Sequence, residues 1–501
     1  MTESTAPATG SAPVVADRLE PRARRALVLL LIAVFVVFLN ETTMSVAVPS
    51  IMDDLGVTPA TGQWLTTAFA LTMAVVIPVT GWLLQRVNTR PVFIAAMSLF
   101  SVGTLIAALA PVFELLIVGR VVQAAGTAIM MPLMMTTVLT IVPMHMRGRI
   151  MGRVSIVISV APAIGPAVSG VLLSTLHWRG LFWVMLPLAV AMLVIGILLV
   201  PNVGDPRRVP LDGLSVVLSA FAFSGLVYGL SSIGESVQGS EVVAPWVPLA
   251  IGAAFMLGFV LRQLQLQRRD AALLDLRTFR APSFTIAVVL LAIGIVSLFG
   301  MVIVLPIYLQ NALGLDPLVI GGLLLPGGLL MGLMGPVVGN LYDRIGPRPL
   351  VVPGAVLLSL GLWGMAMFAV DTPLWGVIAA HVVVSLGLGL LFTPLFTSGL
   401  GALPPHLYSH GSALVATIQQ VAAAAGTAVF ITFLTIGMTA AGAVDTAAAD
   451  PAQVAAGSHL AFLSGLIVSL VVVAVSFFVR KPTEPEVAEG DVTGPQPAAM
   501  H

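Results

Sequence analysis

The chain has 501 residues, of which 9% are Asp, Glu, Lys or Arg and 58% are apolar, with a mean hydropathy of +1.06. A soluble domain carries about 25% charged residues, so 22 basic and 22 acidic side chains cannot clothe the roughly three soluble domains that this length would otherwise suggest. Lipid must be the solvent for most of the chain, and the net charge of zero offers no basic excess for nucleic acid.

Runs of about 20 apolar residues, enough to cross the hydrocarbon core as helix, fall near 26–48, 62–84, 92–110, 114–140, 150–173, 180–200, 212–232, 246–262, 284–309, 318–341, 350–370, 374–400, 411–435 and 459–479. That predicts about fourteen transmembrane helices in an all-α integral membrane protein, with 246–262 the weakest run. The first run is too long for a signal-peptide core and contains Asn40 and Glu41, so it is read as a retained helix. Residues 1–25 and 481–501 read as disordered tails, rich in Ala, Pro and Thr at the start and Pro-rich and acidic at the end. The Ala-rich stretch 437–458 reads as a flexible loop.

Charge placement predicts orientation. With the N-terminus in the cytoplasm, 20 of the 22 basic residues fall on cytoplasmic segments: Arg18, Arg22, Arg24, Arg25, Arg86, Arg90, Arg147, Arg149, Arg153, Arg207, Arg208, five Arg from 262 to 280, Arg344, Arg348, Arg480 and Lys481. The outer connections hold acids, Asp53, Asp54, Glu114, Glu235, Glu241, Asp316, Asp371, Asp445 and Asp450, with Arg179 as their one basic member. The expected location is the cytoplasmic membrane, with both termini inside.

Several chemistries are excluded. Lys481 is the single Lys and sits between Arg480 and Pro482, so no phosphate-binding loop, kinase Lys or Schiff-base Lys exists. There is no Cys, and neither H-E-x-x-H nor G-x-S-x-G occurs. The seven His are scattered without zinc spacing and are expected at surfaces or caps. The chain is not expected to be an enzyme, to use ATP or to carry a cofactor.

A repeat organises the chain. Residues 78–91, PVTGWLLQRVNTRP, and 336–349, PVVGNLYDRIGPRP, agree at seven of fourteen positions. The copies are offset by eight predicted helices rather than six, so the simplest division is a six-helix bundle at 26–200, two inserted helices with linkers at 201–283, and a second six-helix bundle at 284–480.

The repeated loop resembles that of the major facilitator superfamily, G-x-L-x-D-R-x-G-R-[RK]. More closely, the chain is similar to its fourteen-helix drug:proton antiporters, the EmrB/QacA-type multidrug exporters and their lincomycin-resistance-like branch. The segments carrying this resemblance are 39–51 LNETTMSVAVPSI, 63–71 QWLTTAFAL, 116–126 LIVGRVVQAAG, 161–170 APAIGPAVSG, 178–187 WRGLFWVMLP, 273–279 LLDLRTF, 305–314 LPIYLQNALG and 410–420 HGSALVATIQQ. It implies the superfamily fold and proton-driven export of hydrophobic or amphipathic drugs by alternating access, with protons, a small-molecule substrate and the bilayer as partners. Export of an endogenous metabolite, lipid or peptide is the alternative, and a non-transporting sensor or scaffold a third reading.

Glu41 and Arg120 are the only charges well inside predicted spans, at a cost of about 2.5–3.5 kcal/mol each at a helix centre. They lie at matching depth in the first and fourth helices. A static ion pair and a proton switch are both open readings. The resemblance links Arg120 to proton coupling and often has an acid where Asn40 stands. Asn40, Gln123, Gln419, Gln420 and Tyr308 are candidates for the substrate cavity, with interhelical bonding, or anchoring at the interface for Tyr308, as the plainer alternatives. The cytoplasmic gate would use Gly81, Gln85, Arg86, Arg90, Gly339, Asp343, Arg344 and Arg348, the Arg capping helix ends or bridging to acids. The family's acid is Asp343 in the second copy but Gln85 in the first, so the first gate either closes less tightly or recruits another acid. Pro162, Gly165, Pro166 and Gly170 resemble the antiporter motif that the family carries in its fifth helix, with Ser169 where a second Gly is usual there.

Overall fold

The structure, a computed structural model, describes residues 19–203, 206, 207, 209–237, 243–444, 446 and 449–481. The tails 1–18 and 482–501, Arg208, Glu241, Asp445 and the side chain of Glu235 lie outside the described residues.

Fourteen helices carry the described chain: α1 Pro21–Leu55, α2 Pro59–Arg86, α3 Thr89–Leu109, α4 Phe113–Ile141, α5 Arg147–Thr175, α6 Arg179–Leu199, α7 Gly213–Val237, α8 Trp246–Leu266, α9 Pro282–Asn311, α10 Pro317–Ile345, α11 Arg348–Ala366, α12 Leu374–Gly401, α13 Tyr408–Ala440 and α14 Pro451–Ser476. Each is long and apolar enough to cross a membrane, which makes this an all-α multi-pass membrane protein. The weak run at 246–262 is a full helix of 21 residues. Side chains such as Leu198, Trp246, Leu257 and Trp375 stay exposed on the outside of the bundle, as lipid-facing positions require.

Contacts sort the helices. α1 packs on α4, α5 and α6, and α3 packs on α4 and α6; likewise α9 packs on α12, α13 and α14, and α11 on α12 and α14. α7 and α8 pack on each other, and α7 lies against both α2 and α13.

α1 overshoots its apolar run and ends at Leu55 under Gly56, whose φ of +63° places it in the left-handed region. The overshoot carries Asp54 to the start of α6. There it accepts hydrogen bonds from Trp178 Nε1 at 2.9 Å and Arg179 Nη1 at 3.1 Å and pairs with His177. The Trp178 bond, with His177 and Arg179 behind it, holds the Asp54 carboxyl below the usual range against a partial desolvation. Arg179 also donates to the Ala110 carbonyl at 2.9 Å. The one basic residue on the acidic face is therefore structural.

Two seams join α1–α6 to α9–α14, both at the Arg-rich face. In the first, α5 meets α10 backbone to backbone: Gly148 and Gly152 face Gly335 and Gly339 so closely that a Cβ on any of them would overlap the partner helix. At the other ends of these helices a Cβ on Gly170, Gly321 or Gly322 would meet nothing within 4 Å. In the second seam, a Cβ at Gly81 of α2 would stand 3.3 Å from Ala413 Cβ of α13. The described hydrogen bonds across the seams lie at the same face, and the deepest joins Ser155 to Thr393 at 2.6 Å. Ser155 is about 12 Å along α5 from Arg147 at 1.5 Å per residue. The protein is closed on its Arg-rich face.

Two outcomes follow. Gly152→Leu should wedge α5 from α10 and cost roughly 1–3 kcal/mol of stability, read as a lower unfolding midpoint in detergent. Asp212, just before α7, accepts two bonds from Arg262 and others from Ser215. Arg262 chiefly holds its carboxyl down from 3.8 to about 2. A depressed carboxylate stabilises above its unfolded value and loses that contribution as pH falls toward about 2. Asp212→Asn should therefore melt earlier than wild type at pH 7, and the gap should shrink below pH 4.

Candidate functional site

Arg120 is 1% exposed on α4. Its Nη1 donates to Gln123 Oε1 at 2.6 Å, its Nε to the Leu65 carbonyl at 3.4 Å, and its guanidinium lies 4.1 Å from the Phe69 ring centre. Gln123 Nε2 passes the chain on to Thr104 Oγ1 at 2.8 Å, which donates to the Phe100 carbonyl. Both ends of the Gln123 amide are thus used, and it bonds α4 to α3, the plainer of the two expectations for it.

Glu41 and Arg120 feel each other's charge but make no ion-pair contact. Glu41 is partly buried and its Oε2 has no hydrogen-bond partner; neither has Oδ1 of Asn40, which is 2% exposed. The static ion pair is therefore not what the structure contains. Arg120 is held by a neutral amide, a carbonyl and a ring face, and Glu41 keeps a free oxygen.

The helix-5 motif packs around this point. Gly165 admits the Thr42 side chain of α1 so closely that a Cβ there would overlap it. Ser169 donates to the Thr43 carbonyl at 2.8 Å, so the hydroxyl that replaces Gly ties α5 to α1. Pro162 and Pro166 remove two helix N–H donors on an exposed side of α5. A Cβ at Gly170 would meet nothing within 4 Å.

Tyr308 is placed as an anchor, the plainer of its two expectations. It is 0% exposed, donates to the Ala369 carbonyl at 2.7 Å and stacks on Phe368, which anchors α9 to the segment after α11. Gln419 and Gln420 are partly exposed on α13.

The two motif copies behave differently. Asp343 accepts the backbone N–H groups of Gly148 and Arg149, both at 2.9 Å, and so caps the start of α5 across the seam. Arg86 donates to the Val209 carbonyl at 2.9 Å, and Arg90 donates to the Ile197 carbonyl near the end of α6. Arg344 and Arg348 are exposed, with no hydrogen bond or ion pair to a described residue, so the bridging expected of them is not made. Gln85 bonds His410 and the His406 carbonyl.

Sequence reasoning missed four polar residues. His381 and His410 are 7% and 4% exposed, which corrects their assignment to surfaces or caps. His381 stands on α12 where α4 has Arg120: six residues on, Gly387 and Gly126 make matching close approaches to α11 and α3. Gln263 and Asp275, buried at 0% and 3%, belong to α8 and the linker after it. Only His381 carried a signal, a His inside the otherwise apolar run 374–400. Among the described residues no group of three His, Asp or Glu could hold a metal.

The family signature described as Major Facilitator Superfamily matches residues 30–427. The chain belongs to the major facilitator superfamily. It is 40% identical over 456 residues to the lincomycin resistance protein LmrB of Listeria monocytogenes serovar 1/2a, covering 90% of this chain and 95% of that protein. LmrB of Bacillus subtilis (strain 168) is 37% identical over the same shares of each chain. A multidrug resistance protein B homolog of Mycobacterium tuberculosis is 29% identical over 84% of this chain and 77% of its own length. Among solved structures, the human organic anion transporter MFSD10 (TETRAN) superposes with a TM-score of 0.64 at 14% identity over 91% of this chain and all of its own. The proton:xylose symporter XylE gives 0.58 at 12% identity over 90% and 96%. The fold is that of superfamily transporters, and the protein is a transporter of this superfamily.

Gln123→Leu tests the buried network. It strands the Arg120 Nη1 and Thr104 Oγ1 partners and should cost roughly 1–3 kcal/mol, measured by thermal unfolding, whereas Gln419→Leu should leave stability within about 0.5 kcal/mol.

Proposed function

We propose that the protein is a proton-coupled exporter of hydrophobic or amphipathic compounds, antibiotics among them, working by alternating access across the cytoplasmic membrane. The Arg-rich face is read as cytoplasmic, by the usual bias of basic residues. Residues 26–200 and 284–480 are read as two bundles that rock about the central cavity, with 201–283 inserted between them.

The observation that carries coupling is Glu41, a membrane-embedded carboxylate with an unpartnered oxygen in the field of Arg120. A charged group there costs about 2.5–3.5 kcal/mol, and taking up a proton removes that cost. A proton arriving from outside neutralises Glu41 and cancels its attraction to Arg120. The conformation closed at the Arg-rich face then favours outward release of substrate. Losing the proton to the cytoplasm restores the attraction and resets the cycle. The gradient supplies the energy, so no ATP and no cofactor is needed. Asn40, Gln419 and Gln420 are the polar contacts proposed for substrate in an otherwise apolar cavity, which suits broad specificity. Similarity to the lincomycin resistance proteins over 90% of the chain supports drugs as the cargo.

Efflux and substrate-linked proton movement in everted vesicles test this. Glu41→Gln should insert normally yet lose coupled transport by at least about ten-fold, the scale of one 1.4 kcal/mol change. Arg120→Ala should fail as well. Coupled efflux at the wild-type rate in Glu41→Gln would overturn the assignment.

A further inference from the structure

The first copy of the repeated motif lacks its acid, yet its seam is closed. The Gln85 amide nitrogen lies 2.7 Å from His410 Nε2 and donates to the His406 carbonyl at 3.3 Å. Behind this contact lies the linker between α8 and α9. A Cβ at Gly81 would stand 3.5 Å from both the Leu273 carbonyl and His410 Nδ1, so α2, α13 and the linker meet at one point.

The linker is held there from the side of the inserted helices. Gln263 Oε1 accepts the N–H groups of Leu273 at 2.8 Å and Leu274 at 3.3 Å, and its Nε2 donates to Ser215 at 2.8 Å. Ser215 in turn bonds Asp212, which Arg262 clamps at 2.8 Å. Asp275 follows directly, buried, bonded to Arg277 and within the electrostatic reach of His410. A run of polar contacts thus leads from α7 through α8 to the linker, and the linker packs where α2 and α13 meet. A buried amide and two buried N–H groups are costly without partners. The bonds to Gln263 are complete only with the linker in this place.

We propose that α7, α8 and the linker are part of the gate at the Arg-rich face. Gln263 and Asp275 are positioning residues: Gln263 holds the linker at Gly81 and His410, and Asp275 fixes its next turn through Arg277. The inserted pair therefore biases which face is open. This rests on the alternating-access reading, in which α2 and α13 must part when the Arg-rich face opens.

The chain has no Cys, so a single introduced one reports cleanly. Ala416→Cys, 7% exposed between α2, α4 and α13, marks the gated interior. Ala461→Cys, 0% exposed on α14, marks unfolding. Sealed membranes with the Arg-rich face outward are treated with a membrane-impermeant maleimide. Gln263→Met and Asp275→Asn should each raise labelling at position 416 at least about five-fold and leave position 461 unlabelled. Asp343→Asn is the positive control, and Arg268→Gln, exposed at the end of α8, should change nothing. If Gln263→Met exposes position 461, Asp275→Asn, which keeps the side-chain shape, decides. Labelling that rises with Asp343→Asn but stays at the base rate with Asp275→Asn overturns the proposal and leaves alternating access standing. A silent Asp343→Asn overturns both.

Discussion

Inside a bilayer no water takes up the hydrogen bonds of a polar group, so each one must find a partner in the protein or pay for its absence. Helices satisfy the backbone and leave the side chains to be settled one by one. Arg120 is settled by Gln123, the Leu65 carbonyl and the Phe69 ring. Tyr308 is settled by Ala369, and Ser169 by Thr43. Among buried atoms that remain unpartnered, Asn40 Oδ1 and Glu41 Oε2 are neighbours on α1. Their position beside the α1–α5 contact is what makes them informative, since that contact joins the same helix that closes on α10 at the Arg-rich face.

The repeated motif shows how one sequence pattern serves different physical ends. Both copies end one helix and begin the next, and Gly81 and Gly339 each admit a helix from the other set of six. Beyond that they diverge. Asp343 uses its charge on two backbone N–H groups at a helix start, where the helix dipole favours an anion. Gln85 has no charge to offer and bonds a buried His. Arg86 and Arg90 are occupied by carbonyls before α7 and at the end of α6, while Arg344 and Arg348 stay in solvent. The second inserted element, α8, contributes Gln263 to the same neighbourhood.

Much of the fold was legible because lipid imposes a length and a composition on every crossing. Even the short run at 246–262 proved to be a helix, since an apolar segment has no other way to satisfy its backbone. Boundaries were less legible. α1 continues past its apolar stretch to Leu55 because Asp54 is bonded at the start of α6, a contact that hydropathy does not encode. The depth match between Glu41 and Arg120 was counted from apolar ends, and it brought the two near each other without making an ion pair. Polarity at depth marks Gln123 and Tyr308 as cavity candidates and as anchors alike, and only the direction of each side chain, Gln123 to Thr104 and Tyr308 to Ala369, distinguishes the two.

The sequence by itself determined the number of crossings, the separation of basic and acidic faces, the repeat and the family, because these depend on composition and spacing along one dimension. Tertiary structure decided which polar atoms are used and which are free. Gly148 against Gly339, Gln85 against His410 and Gln263 against Leu273 join residues far apart in the chain. Their pairing depends on the direction in which each side chain leaves its helix, and that is set only when the helices pack.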